Sequence, residues 1–182
     1  MALITPEDIV RMLTRGRTKG TVDRLADRMV TAGVDLAAFF REVDRQPSPL
    51  KWHLTWVLSH YVERLGALGP RDQRRIWDAL GASPDDSVRR DLWRALSFVT
   101  DIDDDIAGAV FDTAVRVVTS SKEPIAIRAH AMFAARNVAL PYPELRRELR
   151  LVLEALTRDE SAAVRARSRN VVRELTTRDR FA

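Results

Sequence analysis

The sequence predicts an all-α chain, a right-handed α-α superhelix of about four stacked helix pairs behind an N-terminal capping pair. Three observations predict it. All eight prolines and six of the seven glycines stand where apolar helical periodicity breaks. No segment keeps the strict period of two that a half-buried strand needs. An aliphatic–basic dipeptide returns at intervals of 38, 39 and 37 residues.

The punctuation sets the elements in order. Proline suits the first helical turn, where its missing N–H costs nothing, and glycine suits the position past the last turn. Thr5-Pro6 opens a helix over 6–15, which Gly16 closes. A second runs over 21–32 and ends at Gly33. Asp35 caps a third over 35–45, with Val34 and Phe39 spaced as a hydrophobic staple. Ser48-Pro49 and Ser83-Pro84 each offer a capping hydroxyl before proline, opening helices over 49–66 and 84–100. The remaining spans are 70–80, 104–119, 124–139, 143–157 and 162–175. Connections this short make consecutive helices antiparallel neighbours. One domain is expected over 1–182, with capping helices in 1–34, repeats in 35–176 and a tail in 177–182.

The repeat is visible when alternate helices are aligned. The dipeptides are Leu50-Lys51, Val88-Arg89, Ile127-Arg128 and Val164-Arg165. A single helix pair cannot cover its own apolar stripe, so pairs must stack. The stripe Val88, Leu92, Ala95, Leu96 and Val99 has helical spacing, and Leu50, Leu54, Val57, Leu58 and Tyr61 repeat it one pair earlier. Trp77 and Trp93 occupy core-like positions.

Through the Val-Arg dipeptide and the Asp before it, the chain resembles the HEAT-repeat family over roughly 35–176. Asp159 stands six residues before Arg165, the separation of that family's Asp–Arg ladder. Ser83 and Lys122 hold the equivalent places in the middle repeats, so the resemblance implies an incomplete ladder there. Trp52-His-Leu-Thr-Trp-Val-Leu58 and Lys122-Glu-Pro-Ile-Ala-Ile-Arg128 also resemble small bacterial HEAT-like proteins, to which no activity attaches.

The 182 residues carry no cysteine, which removes disulfides, thiolate metal sites and cysteine nucleophiles. No apolar run reaches the length of a membrane span, and acids stand where a signal peptide needs bases. A cytoplasmic protein with no membrane partner is expected. Net charge is +4, and the pI near 10.1 comes almost wholly from arginine. Asp101-Ile-Asp-Asp-Asp105 lacks the glycine and glutamate of a calcium loop and reads as an acidic helix start. His53 and His60 stand two turns apart with no carboxylate at ligand spacing. Gly16-Arg-Thr-Lys-Gly20 lacks the Gly-Lys-Ser/Thr ending of a phosphate loop. No nucleophile elbow, zinc-protease or dinucleotide motif occurs. No cofactor, metal or catalytic set is expected, and the chain is read as no enzyme.

Opposite the core stripe lie positions two, six and nine after the aliphatic marker. They read Trp52, Trp56, Ser59; Arg90, Arg94, Ser97; Ala129, Phe133, Arg136; Ala166, Asn170, Arg173. Of these, Trp52, Trp56, Arg90, Arg94, Phe133, Arg136 and Arg173 are the candidate binding residues of a concave groove. Aromatic and arginine side chains carry most interface energy, so a non-catalytic scaffold holding a protein partner is expected. The alternative for the indoles is packing against the N-terminal helices. The alternatives for the function are nucleic-acid binding and a structural subunit stacked through an end near Phe181. HEAT-like folds occur in a DNA-repair glycosylase family, but its catalytic acid has no residue-by-residue match here.

Overall fold

The structure is a computed structural model describing residues 3–180. Among them are ten α-helices and no strand: α1 (Pro6–Arg15), α2 (Lys19–Ala32), α3 (Leu36–Arg45), α4 (Leu50–Leu65), α5 (Pro70–Ala82), α6 (Asp86–Phe98), α7 (Asp104–Thr119), α8 (Ile125–Ala139), α9 (Pro143–Ala155) and α10 (Ala162–Arg180). A single 3-10 turn, Leu156–Arg158, follows α9. The helices fall into two compact units, 1–95 and 96–182. Phe181 lies outside the described residues.

Local chemistry explains most boundaries. Thr5 caps α1 by accepting from the Asp8 N–H, and Asp35 caps α3 by accepting from Ala37 and Ala38. Asp103 caps α7, whose first turn carries Asp104 and Asp105 beside the positive end of the helix dipole. Gly66 ends α4 in the left-handed region at φ 65°, where a Cβ would be strained. Gly33 ends α2 at φ 77°, and a Cβ there would also sit 2.8 Å from the Leu3 side chain.

Three expectations at helix ends change. Neither Ser48 nor Ser83 caps a helix N-terminus. Ser48 turns to the Asp85 carboxylate at 3.1 Å, and α4 starts with no side-chain cap. Asp85 takes over the start of α6, accepting from the Ser87 and Val88 N–H groups, so the helix begins two residues later than the proline suggested. A charged acceptor outcompetes a hydroxyl for amide donors. At the other end of the chain, α10 continues through 176–180 rather than stopping at 175. The Thr176 and Thr177 hydroxyls bond back to the carbonyls of Val172 and Arg173. Arg146 and Arg150 hold Asp179 in that added turn.

In the first unit, α2 and α1 lie against α4, and α3 lies against α4 and α5. Their shared core includes Ile9, Leu13, Leu25, Met29, Phe39, Leu54, Leu58, Ile76 and Leu92. The N-terminal pair therefore covers apolar surface of α4. Val88, Leu92 and Ala95 of α6 are buried as the spacing predicted, and so, in the second unit, are Leu96 and Val99. Trp93 is sealed and meets the edge of Trp77, their ring centroids 6.2 Å apart.

In the second unit, α7 packs on α8, α9 on α10, and α8 also meets α9 and α10. Ala131, Ala134, Ala135 and Ala139 of α8 are fully covered. Small side chains let neighbouring helices approach on more than one side. The Arg128 guanidinium, nearly sealed, donates to the Val118 carbonyl at 2.9 Å and to both carboxylate oxygens of Asp159. Arg165 does not reach that carboxylate; it donates to the carbonyls of Asp159 and Glu160. The ladder here thus joins the arginine of one pair to the aspartate of the next.

Candidate functional site

The first unit places four of the expected binding residues. Trp52 and Trp56 lie one turn apart on α4, ring centroids 6.3 Å apart, and both are partly exposed. Neither indole is sealed. Trp52 stacks on His53 at 3.6 Å, and Trp56 sets its edge towards His60 at 5.9 Å. The two histidines hold the aromatic row in place. His53 donates through Nδ1 to the Pro49 carbonyl at 2.6 Å. His60 Nδ1 lies 3.0 Å from the Asp23 carboxylate of α2. Burial drives the His60 pKa below its usual value, against the pull of Asp23.

Arg90 and Arg94 stand on α6 and are also partly exposed. Both are already engaged. Arg90 forks onto the neighbouring Asp91 at 3.0 and 3.2 Å. Arg94 crosses to α4, donating to the Ser59 hydroxyl at 2.9 Å and to Glu63 at 2.6 Å. Lying over Ser59, it buries a position expected to face solvent. Asp91 is sealed beneath Arg90, and desolvation pushes its pKa up to about 6 although Arg90 and Arg94 favour the charge.

The second unit places the other three. Phe133 lies between two guanidinium groups, Arg136 at 5.1 Å and Arg167 at 5.0 Å from its ring centre. Arg136 also donates to Asn137 and to Glu174 of α10. Asn137 is sealed and spans the carbonyls of Ser97 and Val99. Arg173 is exposed on α10. Ser97 and Ala129, expected on the open row, are buried instead; Ala166 and Asn170 are exposed. A step of about 100° per residue gives a direction, but long neighbours decide what covers it.

A model of the HEAT repeat domain matches residues 9–175. The chain belongs to the HEAT-repeat family. The match begins inside α1 and takes in α2 as well as the helices that follow. In a comparison with solved structures, this HEAT-repeat chain is similar to the crystal structure of an engineered protein. That likeness has a TM-score of 0.55 and 17% identity, covering 95% of this chain and 80% of the other. At that identity it bears on the fold alone. No curated protein matches the chain. HEAT repeats make a fold of the protein-interaction kind, and no helix among the described residues is long and apolar enough to cross a membrane.

Two features of this HEAT-repeat chain were not found in the sequence. In the first unit, a cleft of ≈ 570 Å³ is lined by Phe40, Val43, Val88 and Leu92 and by the charged Lys51 and Asp78. In the second, a hollow of ≈ 580 Å³ lies between Leu140 and the exposed side of α10, along Asn170, Arg173 and Arg178. Only the repeat positions of Asn170 and Arg173 hinted at the latter. Leu140 falls at the end of α8, outside the row pattern, so spacing could not bring it there.

Proposed function

We propose that the chain is a non-catalytic scaffold that holds a protein partner against the α4–α6 face of its first unit. The observation that carries this reading is the pair of adjacent, partly exposed indoles, Trp52 and Trp56. Large aromatic rings left in contact with water cost free energy that a partner recovers on docking. Arg94 reaches from α6 to Ser59 and Glu63 of the same helix as the indoles, and Asp91 and Glu63 orient the Arg90 and Arg94 guanidinium groups in advance. An oriented arginine loses little conformational freedom on binding, which favours its use as an anchor.

The test is retention of a protein from native-cell lysate by the immobilised full chain. Wild type should retain a defined partner. Trp56→Ala combined with Arg94→Ala should lose it while the thermal midpoint stays within a few degrees. Trp52→Ala should weaken retention without unfolding. Unfolding of these variants would make the residues packing elements and end the reading.

A further inference from the structure

The exposed side of α10 has an unusual charge balance. Its two acids are both taken by arginines of other helices: Glu174 by Arg136, and Asp179 by Arg146 and Arg150. Its own Arg167, Arg169, Arg173 and Arg178 have no carboxylate partner among the described residues. Two of these, Arg173 and Arg178, border the ≈ 580 Å³ hollow with Leu140, Asn170, Thr177 and Glu174, the last held by Arg136. A cationic wall beside an open hollow, with its local acids neutralised, is complementary to an anion.

We propose that this hollow binds an acidic, extended peptide segment of a protein partner, with carboxylates seated on Arg173 and Arg178. The inference rests on the scaffold reading only in taking the ligand to be a protein segment; it uses none of the residues of the indole face. Five residues apart on a helix, the two arginines are offset by about 7.5 Å along the axis and by about 140° around it, so they border the hollow from two sides. Guanidinium and carboxylate meet through two parallel hydrogen bonds, so each pairing also fixes direction. Leu140 gives the peptide stem an apolar contact, and the exposed Asn170 amide offers a donor and an acceptor to its backbone. Nucleic acid fits less well. Single strands need free rings for base stacking, and the Phe133 ring is already flanked by Arg136 and Arg167. No aromatic side chain borders the hollow.

The experiment is fluorescence anisotropy of labelled synthetic ligands titrated with the full chain. The ligands are an extended peptide with alternating glutamates, its glutamine counterpart, and a single-stranded oligonucleotide of equal length. The acidic peptide should bind, and rising salt should weaken it. Its glutamine counterpart should bind at least about tenfold more weakly. Arg173→Gln with Arg178→Gln should cost about tenfold in affinity, and Arg169→Gln, on the same helix but off the hollow, should cost little. No binding of the acidic peptide, equal binding of the glutamine peptide, or tighter binding of the oligonucleotide would overturn the proposal. So would an equal loss from Arg169→Gln. The wild-type arms decide even if a variant misfolds. A null result leaves the indole face untouched, because that face is read by retention with the tryptophan variants.

Discussion

Arg128 and Asp159 are joined across two successive helix pairs, guanidinium to carboxylate, with the arginine almost wholly withdrawn from water. The same arginine donates to the Val118 carbonyl at the end of α7, and the same aspartate accepts from the Ser161 N–H. One contact therefore ties α7, α8 and the start of α10. Removing one member leaves a buried charge without its partner, which costs far more than the pair contributes. Asp159→Ala should lower unfolding stability by about 3 kcal/mol in a denaturant titration. Arg165→Ala, which loses only bonds to two backbone carbonyls, should cost about 1 kcal/mol.

Asp91 makes stability depend on pH in the opposite sense from most carboxylates. Its folded pKa of about 6 lies above the unfolded value of 3.8, so the folded chain binds the proton more readily. That binding favours the fold as pH falls through 6, and the benefit is lost as pH rises past it. Asp91→Asn should raise stability at pH 8 by on the order of 2 kcal/mol, because the penalty of burying the charge disappears. The gap between variant and wild type should close towards pH 4. Thermal unfolding of both chains across that range checks it, and a constant gap would show that Arg90 fully offsets the burial.

His60 should titrate below the ordinary histidine value of 6.5 when followed by NMR. Desolvation favours the neutral ring, so the histidine opposes folding only where it must take up a proton. Its contribution is complete above the unfolded pKa and fades as pH falls through the lowered folded one. Asp23→Asn removes the nearer of two carboxylates that favour the charged ring, at 3.0 Å against 3.9 Å for Glu63, and should move the titration lower still.

Ser168 sits in the core row of α10, where earlier pairs place Leu54, Leu92 and Ala131. It is fully buried, and its hydroxyl has no hydrogen-bond partner. An unsatisfied buried hydroxyl costs about 1 kcal/mol or more. Ser168→Ala keeps the volume and removes the polar group, so the variant should unfold at a higher temperature than wild type. The comparison is Leu92→Ala, in the equivalent place on α6, which should lose roughly 2–5 kcal/mol.

The amino-acid order by itself determined the helices and the rows that face inward. Both follow from local physics: proline and glycine restrict the backbone over one or two residues, and apolar spacing at 3.6 residues per turn selects a buried stripe. Val88, Leu92, Ala95, Leu96 and Val99 were legible for that reason, and so was the burial of Trp93. Tertiary structure alone decided where the charges go. Arg94 meets Glu63 across 31 residues, and Arg128 bypasses the expected intra-repeat arrangement to reach the next pair. A guanidinium on a long, flexible stem can choose among several acids, and the choice depends on which helix lies beside it. The candidate binding residues divide the same way: periodicity named the positions, but packing determined that Ser59 is covered, the indoles are half open and Arg173 stands beside a hollow.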